Sequence, residues 1–549
     1  MKRRYFLKTG LALGTATLAA GCGNRSGEPP AKGHEATDSA NGTWNIPEFE
    51  HAEASIDELQ RAQTDGRLTA RSLTEAYLAR MDAVDVSGPH LSSVIERNPE
   101  ALSVADALDR ERKERGPRSP LHGIPILIKD NIATADRMET TAGSLALVGA
   151  KPAQDAAIVK RLRDAGAIIL GKTNLSEWAN FRSSHSTSGW SGRGGQTKNP
   201  YALDRNPCGS SSGSGAAASA NLCAAAIGTE TDGSVVCPSS ICGIVGIKPT
   251  VGLVSRSGII PISATQDTAG PMARTVSDAA VLLNVIAAAD DRDPATARSA
   301  RIEDYAANLD ANAMKGARIG VLRKMFGSND NVARVMKEAV DAIKKLGAEV
   351  IDPVQIESHG KVDDAEFQVL LYEFKDGLNR YLASLGSAVR CKTLADIIAF
   401  NESNRDREMP YFGQDIFIQA QEKGPLTSKE YLDAVKLCRK LSAVEGIDAI
   451  MIRHRLDALV APTTDPAYPT DLVLGDHYTG GGTSTLPAVA GYPHVTVPAG
   501  FVFGLPLGIS FIGRAWSEPR LIGLAYAFEQ ATKHRTAPRF LPTVLGVRP

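Results

Sequence analysis

In Gly123-Ile-Pro-Ile-Leu-Ile-Lys129-Asp130 an unbroken apolar run sits between a glycine and a charged pair. A run this short and this uniformly apolar reads as a strand buried on both faces. It ends on Lys129, and a lysine delivered by a buried strand is desolvated, which favours its uncharged form. Outward from this stretch, helical spacing alternates with short apolar runs: Ala156–Ala165 precedes Ile168–Leu170, and Val332–Leu346 precedes Glu349–Ile351. Such alternation predicts an α/β layer architecture around a largely buried sheet. Nearer the N-terminus, Ser55-Ile-Asp-Glu58 has the form of a helix cap. The apolar positions from Ile56 to Met81 suit two amphipathic helices broken at Asp65-Gly66.

The 549 residues carry 61 basic and 62 acidic side chains, a formal charge of −1. A balance so even gives no global field for holding nucleic acid, which is therefore not expected as a partner. Arg3-Arg4-Tyr-Phe-Leu-Lys8 precedes an apolar and small-residue run from Thr9 to Ala20, then Gly21-Cys22. This is the pattern of a twin-arginine export signal, residues 1–21, ending in a lipoprotein cleavage site. The run is too short to cross a hydrocarbon core of roughly 30 Å. It predicts export across a bacterial cytoplasmic membrane, to the periplasm or to a lipid anchor on Cys22, with membrane contact only through that lipid. Ala19 stands where bacterial lipoproteins more often carry Leu, so cleavage without a lipid is the other outcome. Residues 22–45, rich in Gly, Pro, Ser and charge, read as a solvated tether. A folded domain is expected over 46–549. Among seven cysteines, Cys237 and Cys242 lack the neighbouring His or second Cys pair that zinc requires, and they read as small packing residues. A chain of this size needs no disulfide for stability, and no metal or cofactor is predicted.

Two motif matches fail on context. Gly166-Ala-Ile-Ile-Leu-Gly171-Lys-Thr173 fits the phosphate-loop pattern, yet its spacer reads as a buried strand where a phosphate cradle needs a loop. Gly209-Ser-Ser211-Ser-Gly213 fits a nucleophile elbow, but the preceding Asn199–Pro207 has two prolines and reads as loop. The downstream histidines His454, His477, His494 and His534 sit in no distinctive local pattern for a triad. A stronger constellation joins three segments: Lys129 at its strand end, the hydroxyl-rich turn Pro207-Cys-Gly-Ser210-Ser-Ser-Gly-Ser-Gly215 running into a small-residue helix Ala216–Ala226, and Gly228-Thr-Glu-Thr-Asp-Gly-Ser234. In the last, successive backbone amides are free to converge on one point.

At these residues the chain resembles the amidase signature family, whose nucleophile motif reads G-T-[DE]-x-x-G-S with a Ser-Ser-Gly-rich segment shortly upstream. Gly171-Lys-Thr-Asn-Leu-Ser-Glu177, Gly243-Ile-Val-Gly-Ile-Lys-Pro249, Asp267-Thr-Ala-Gly-Pro-Met-Ala-Arg274 and Ala490-Gly-Tyr-Pro-His-Val-Thr-Val-Pro498 are similar to further family segments. The resemblance implies a single large α/β domain with a central twisted mixed β-sheet covered by helices on both faces. It also implies Ser234 as nucleophile, Ser210 as a bridging serine on a cis peptide, and Lys129 as base. The backbone amides of Thr231, Asp232, Gly233 and Ser234 become the oxyanion hole, and the product is an acid and ammonia by way of an acyl-enzyme. Glu230, Asp232 and Val236 depart from the commonest family residues. Together with Asn206-Pro-Cys-Gly-Ser-Ser-Ser-Gly-Ser214 they look like bacterial peptide amidases, which deamidate C-terminally amidated peptides. The implied partners are small-molecule or peptide amides, acted on by a monomer. Other aliphatic, aryl or amino-acid amides are the alternative substrates, and the rivals in function are a tRNA-dependent amidotransferase subunit or a non-catalytic exported peptide-binding lipoprotein. Asn180–Gln196 and Leu371–Gln421 are the candidate pocket walls.

Overall fold

Strands apolar along their whole length need cover on both faces, and that need builds the centre of this molecule. The computed structural model describes residues 44–298, 304–479 and 481–544. In chain order its strands are β1 (Val94–Arg97), β2 (Pro125–Lys129), β3 (Ile168–Thr173), β4 (Trp190–Ser191), β5 (Gly195–Gln196), β6 (Ala225–Glu230), β7 (Val245–Lys248), β8 (Thr268–Ala273), β9 (Arg318–Val321), β10 (Glu349–Ile351), β11 (Ala458–Pro462), β12 (His494–Val502) and β13 (Leu505–Ile512). Among the described residues, eleven of these form one sheet in the order β1-β3-β2-β6-β8-β7-β12-β13-β11-β9-β10, and β4 pairs with β5 in a separate ribbon. The sheet is mixed. β2 runs parallel to both β3 and β6, β8 is antiparallel to β6, and β9 to β11 are parallel at the far edge. Every residue of β2, β3, β6 and β8 is buried, and helices flank the sheet, as the alternation of elements predicts.

The predicted elements fall close to the observed ones. Helices span Ile56–Thr64 and Ala70–Met81, the first opened by a capping box in which Ser55 and Glu58 satisfy each other's backbone amides. Further helices cover Ala157–Asp164 and Asp330–Lys345, each leading into a strand of the sheet. Two expectations are corrected. The small-residue segment is not a helix from Ala216 to Ala226: the helix is Ser212–Ser219, Asn221 turns the chain at φ +60, and Ala225–Glu230 is the central strand β6. Alanine favours helix only weakly against tertiary demand, and a central strand crowded by neighbours on both sides accepts small residues. Cys237 is not a simple packing residue, because it forms a disulfide with Cys208, while Cys242 is buried and free as read. The expected export signal, Cys22 and the expected tether up to residue 43 lie outside the described residues. No described helix is long and apolar enough to cross a membrane.

Among the described residues, two large apolar cores organise most of the packing, beside a small third cluster. The larger one surrounds the sheet. A smaller one gathers Trp178, Phe181, Leu371, Phe374, Leu378 and Phe417 around the helix Asp363–Ser384. Close backbone approach replaces side-chain bulk near β6. A Cβ on Gly213 would overlap the carbonyl oxygens of Ser93 and Asn174, so the helix Ser212–Ser219 reaches the 174 loop only because no side chain stands there. Gly213→Ala is accordingly expected to cost about 1–3 kcal/mol, read as a lower midpoint of urea unfolding with unchanged slope.

Candidate active site

Because β2 and β6 are parallel neighbours, with Ile126 opposite Ala225 and Ile128 opposite Ile227, their carboxyl ends bring Lys129 beside Thr229. The crevice outside the carboxyl ends of parallel strands is where α/β sheets place their ligands. Lys129 is fully buried. Its Nζ lies 2.8 Å from Ser210 Oγ, 3.0 Å from Ser211 Oγ, 2.9 Å from Thr229 Oγ1 and 3.2 Å from the Thr229 carbonyl oxygen. Burial pushes its pKa down from 10.5 to about 7, and the carboxylates of Asp267 and Glu230, which favour the charged form, do not undo that shift.

The protons around Nζ can be assigned one by one. Ser211 Oγ donates to the Thr229 carbonyl at 3.0 Å and accepts from the Thr229 amide at 3.2 Å, so its proton is committed. Thr229 Oγ1 accepts from Asn131 Nδ2 at 3.0 Å. Ser210 Oγ has Lys129 as its only hydrogen-bond partner among the described residues. A neutral amine can thus give its N–H groups to Ser211 and Thr229 and turn its lone pair toward the Ser210 hydroxyl.

The Gly209–Ser210 peptide is cis, in line with the resemblance. Ser234 is 8% exposed. Its carbonyl accepts from Ser211 N at 3.2 Å, which sets the two serine-bearing turns side by side. Ser234 Oγ makes no hydrogen bond among the described residues, and none joins it to Ser210.

The loop before Ser234 is held from several sides. Glu230 Oε2 accepts from the amides of Val235 and Val236 at 2.8 and 3.0 Å, which folds the chain back over residues 231–234. Gly233 takes φ +78, and its carbonyl accepts from Cys237 N at 2.8 Å. Thr231 Oγ1 donates to Asp267 at 2.6 Å, and Thr485 Oγ1 donates to Asp232 at 2.8 Å. So tethered, the N–H groups of Thr231, Asp232, Gly233 and Ser234 donate to no acceptor among the described residues. Preorganised, unpaired amides of this kind stabilise a developing negative charge.

A cleft of about 840 Å³ opens against this network, with Asn131, Thr229 and Thr231 on its floor. Neither Ser210 nor Ser234 lines it. Of the two expected walls, Leu371–Gln421 contributes Glu373, Gly377 and Tyr381, whereas Asn180–Gln196 contributes nothing. That segment closes instead over a buried ion pair: Arg182 lies 3.0 Å from Glu177, which also accepts from Gly192 N at 2.7 Å. Other walls come from Pro152 to Asp155, from Arg256 to Asp267 and from Arg292 to Ala295, which no motif marks.

The rejected motifs stay rejected on geometry. Ile168–Thr173 is a buried strand, and Lys172 donates to the Ile132 carbonyl and Thr140 Oγ1 at 2.7 and 2.8 Å, with no loop to hold phosphate. Ser211 hydrogen-bonds to backbone and to Lys129, and His494 pairs with Ser510. No histidine among the described residues hydrogen-bonds to Ser211 or Ser234. Sequence reasoning missed Thr229, Asn131 and Asp267 as site residues, took Ser211 only as the centre of a rejected elbow, and took Glu230 only as a departure from a motif. For Asn131, Thr229 and Glu230 the available signal was a polar residue within two positions of Lys129 or five of Ser234; Ser211 and Asp267 reach the site only through the fold.

Comparison with known proteins identifies the family. The amidase family description matches residues 72–522. A probable amidase of Arabidopsis thaliana is 42% identical over 505 residues, covering 90% of this chain and 93% of its own. The crystal structure of the native peptide amidase from Stenotrophomonas maltophilia superposes with a TM-score of 0.86 at 51% identity, covering 89% of this chain and 99% of that one. The peptide amidase PAM in complex with the competitive inhibitor chymostatin gives 0.87 at 52%, covering 89% and 100%. A match over most of the chain, a shared fold and relatives at these identities place this protein in the amidase signature family, and it is an amidase.

Proposed function

We propose that the protein hydrolyses carboxamides, C-terminally amidated peptides foremost, through Ser234, Ser210 and Lys129. The observation that carries this reading is the 2.8 Å contact between a fully buried, charge-averse Lys129 Nζ and a Ser210 hydroxyl with no other partner among the described residues. A serine is a poor nucleophile until its proton can leave. Ser210 passes its proton to neutral Lys129 and takes the proton of Ser234, whose oxygen attacks the amide carbonyl. The link from Ser210 to Ser234 closes in the substrate complex, as catalytic hydrogen bonds commonly tighten there. The amides of residues 231–234 receive the oxyanion, each donor being worth about 10²- to 10³-fold in rate. The relay then returns a proton to the departing nitrogen. Ammonia leaves, and water, activated by the same route, releases the acid.

Support for peptide amides comes from the likeness to peptide amidases and from the cleft, whose volume falls within the roughly 300–1,000 Å³ of sites that enclose small ligands. Export remains part of the proposal. The Cys208–Cys237 disulfide supports it, since such bonds persist in oxidising compartments, and it weighs against a cytoplasmic amidotransferase subunit.

Ser234→Ala is expected to lower ammonia release from an N-blocked dipeptide amide by at least about 10⁴-fold while calorimetry still detects substrate binding; equal turnover would assign the protein to the binding-protein class instead. For Lys129, protonation below pH about 7 removes the acceptor, so kcat/KM should rise with pH through about 7 and level off above it. Lys129→Ala should lose most activity together with that acidic limb, and an unchanged limb would move the base elsewhere. The same group has a stability signature. Between about 7 and 10.5 the unfolded chain binds more protons than the folded one, so the Lys129 penalty is full below pH 7 and fades as pH rises. The stability of Lys129→Met relative to wild type, read by urea unfolding, should therefore be most favourable below pH 7 and decline above it by up to about 1.4 kcal/mol per pH unit. Ammonia release across peptide, aliphatic and aryl amides and glutamine ranks the substrate classes, with peptide amides expected first.

A further inference from the structure

The Cys208–Cys237 bridge spans the two turns that carry Ser210 and Ser234. Cys208 is two residues before Ser210, and Cys237 is three after Ser234, at the start of the helix Val236–Ile241. The bridge closes a ring over a sequence separation of 29 that contains Ser210, Ser211, the helix Ser212–Ser219, β6, Glu230 and the 231–234 loop. Lys129 lies outside that ring, on β2. Among the described residues, a single backbone hydrogen bond joins the segments 207–212 and 231–237, from Ser211 N to the Ser234 carbonyl. Cys208 itself sits at φ +58, a conformation that a side chain with a Cβ keeps only where its surroundings hold it. Both sulfurs lie in a small apolar cluster with Ala202, Ile241, Ala467 and Leu505, separate from the main core that supports the sheet. The bridge is therefore not needed to cover the sheet. What it fixes is the spacing of the two turns.

We propose that the Cys208–Cys237 disulfide is a positioning element of the amidase site, so that full turnover requires its oxidised form. This inference rests on the Ser234–Ser210–Lys129 reading given above. Reduction by a dithiol transfers two electrons and two protons to the sulfurs, yields the Cys208 and Cys237 thiols, and oxidises the reagent to its cyclic disulfide. Released at that point, the Ser210 and Ser234 turns lose the covalent limit on their separation and keep hydrogen bonds such as those from Ser211 N to the Ser234 carbonyl between them and from Ser176 N to the Ser210 carbonyl. A misplacement of about 1 Å in a reacting group costs on the order of 100-fold in rate. Lys129 stays on β2 beside Thr229, and burial, which sets its pKa, persists, so the pH at which the acidic limb breaks stays where it is. A chain still in a reducing compartment would be folded and poorly active, and it would gain full activity on reaching an oxidising one.

The test uses the full-length oxidised protein, treated with dithiothreitol under native conditions until thiol titration shows two additional thiols. The expected result is a fall in kcat of about tenfold or more, with KM within about twofold, the acidic limb unmoved, far-UV circular dichroism unchanged at the assay temperature, and activity restored by reoxidation. The double variant C208A/C237A should show the lowered kcat from the start and ignore the reductant. Wild-type kcat in protein with two extra thiols would overturn the proposal. So would an equal loss in the double variant on reduction, which places the effect elsewhere, or a loss of activity that accompanies a loss of circular dichroism, which makes the bridge a support of the fold alone. If the double variant does not fold, the reduction and reoxidation of wild type decide the question. Failure of the serine relay itself would appear separately, as an active Ser234→Ala.

Discussion

The whole arrangement depends on keeping an amine in the interior without giving it a carboxylate to lean on. Lys129 has hydroxyls and a carbonyl within hydrogen-bond reach and no salt bridge among the described residues. Asp267 and Glu230 act on it only at longer range. An adjacent carboxylate would have restored the charged state, whereas a site without polar partners would have left a bare N–H in apolar surroundings. The ring of Ser210, Ser211 and Thr229 meets both conditions. Each acidic group nearby is directed at something else: Glu230 at the amides of Val235 and Val236, and Asp267 at Thr231 and the amides of Ile262 and Ser263.

Placing hydroxyl turns so close to two central strands requires that little else occupy the space. Glycine, serine and alanine crowd the segment from Gly209 to Glu230, and nearly all of it is buried. Apolar bulk is supplied from the strands and helices around it. The consequence is a centre rich in backbone contacts and hydroxyl hydrogen bonds, enclosed by an ordinary apolar core.

Much of this was readable from the chain itself, and the exceptions have physical causes. β2 and its terminal lysine were visible because a short apolar run bounded by Gly123 and Asp130 has few other uses. The first helices were visible because Ser55 and Glu58 form a local cap. β6 was hidden, since Ala225 and Ala226 continue a run of small residues that suits a helix in isolation, and only the neighbours β2 and β8 make it a strand. The three catalytic candidates came from their motifs. Ser211 and Thr229 did not, because a hydroxyl whose role is to accept an N–H looks like any other turn residue. The disulfide was hidden for a related reason: nothing in the spacing of Cys208 and Cys237 separates a bridge from two packed thiols. The cleft wall from Arg256 to Asp267 is a matter of tertiary approach and leaves no local mark.

The two apolar cores divide the labour of evolution as well as the volume. The cleft floor belongs to the sheet, where β2 and β6 are flanked on each side by other strands, and a change there propagates through the register of its neighbours. The outer wall contributed by the helix Asp363–Ser384 rests on the smaller core of Trp178, Phe181, Phe374 and Phe417. Substitutions can remodel that wall, and with it the shape of the cleft, without disturbing the strands that carry Lys129 and Thr229. A protein built this way can acquire new clients while its chemistry stays fixed.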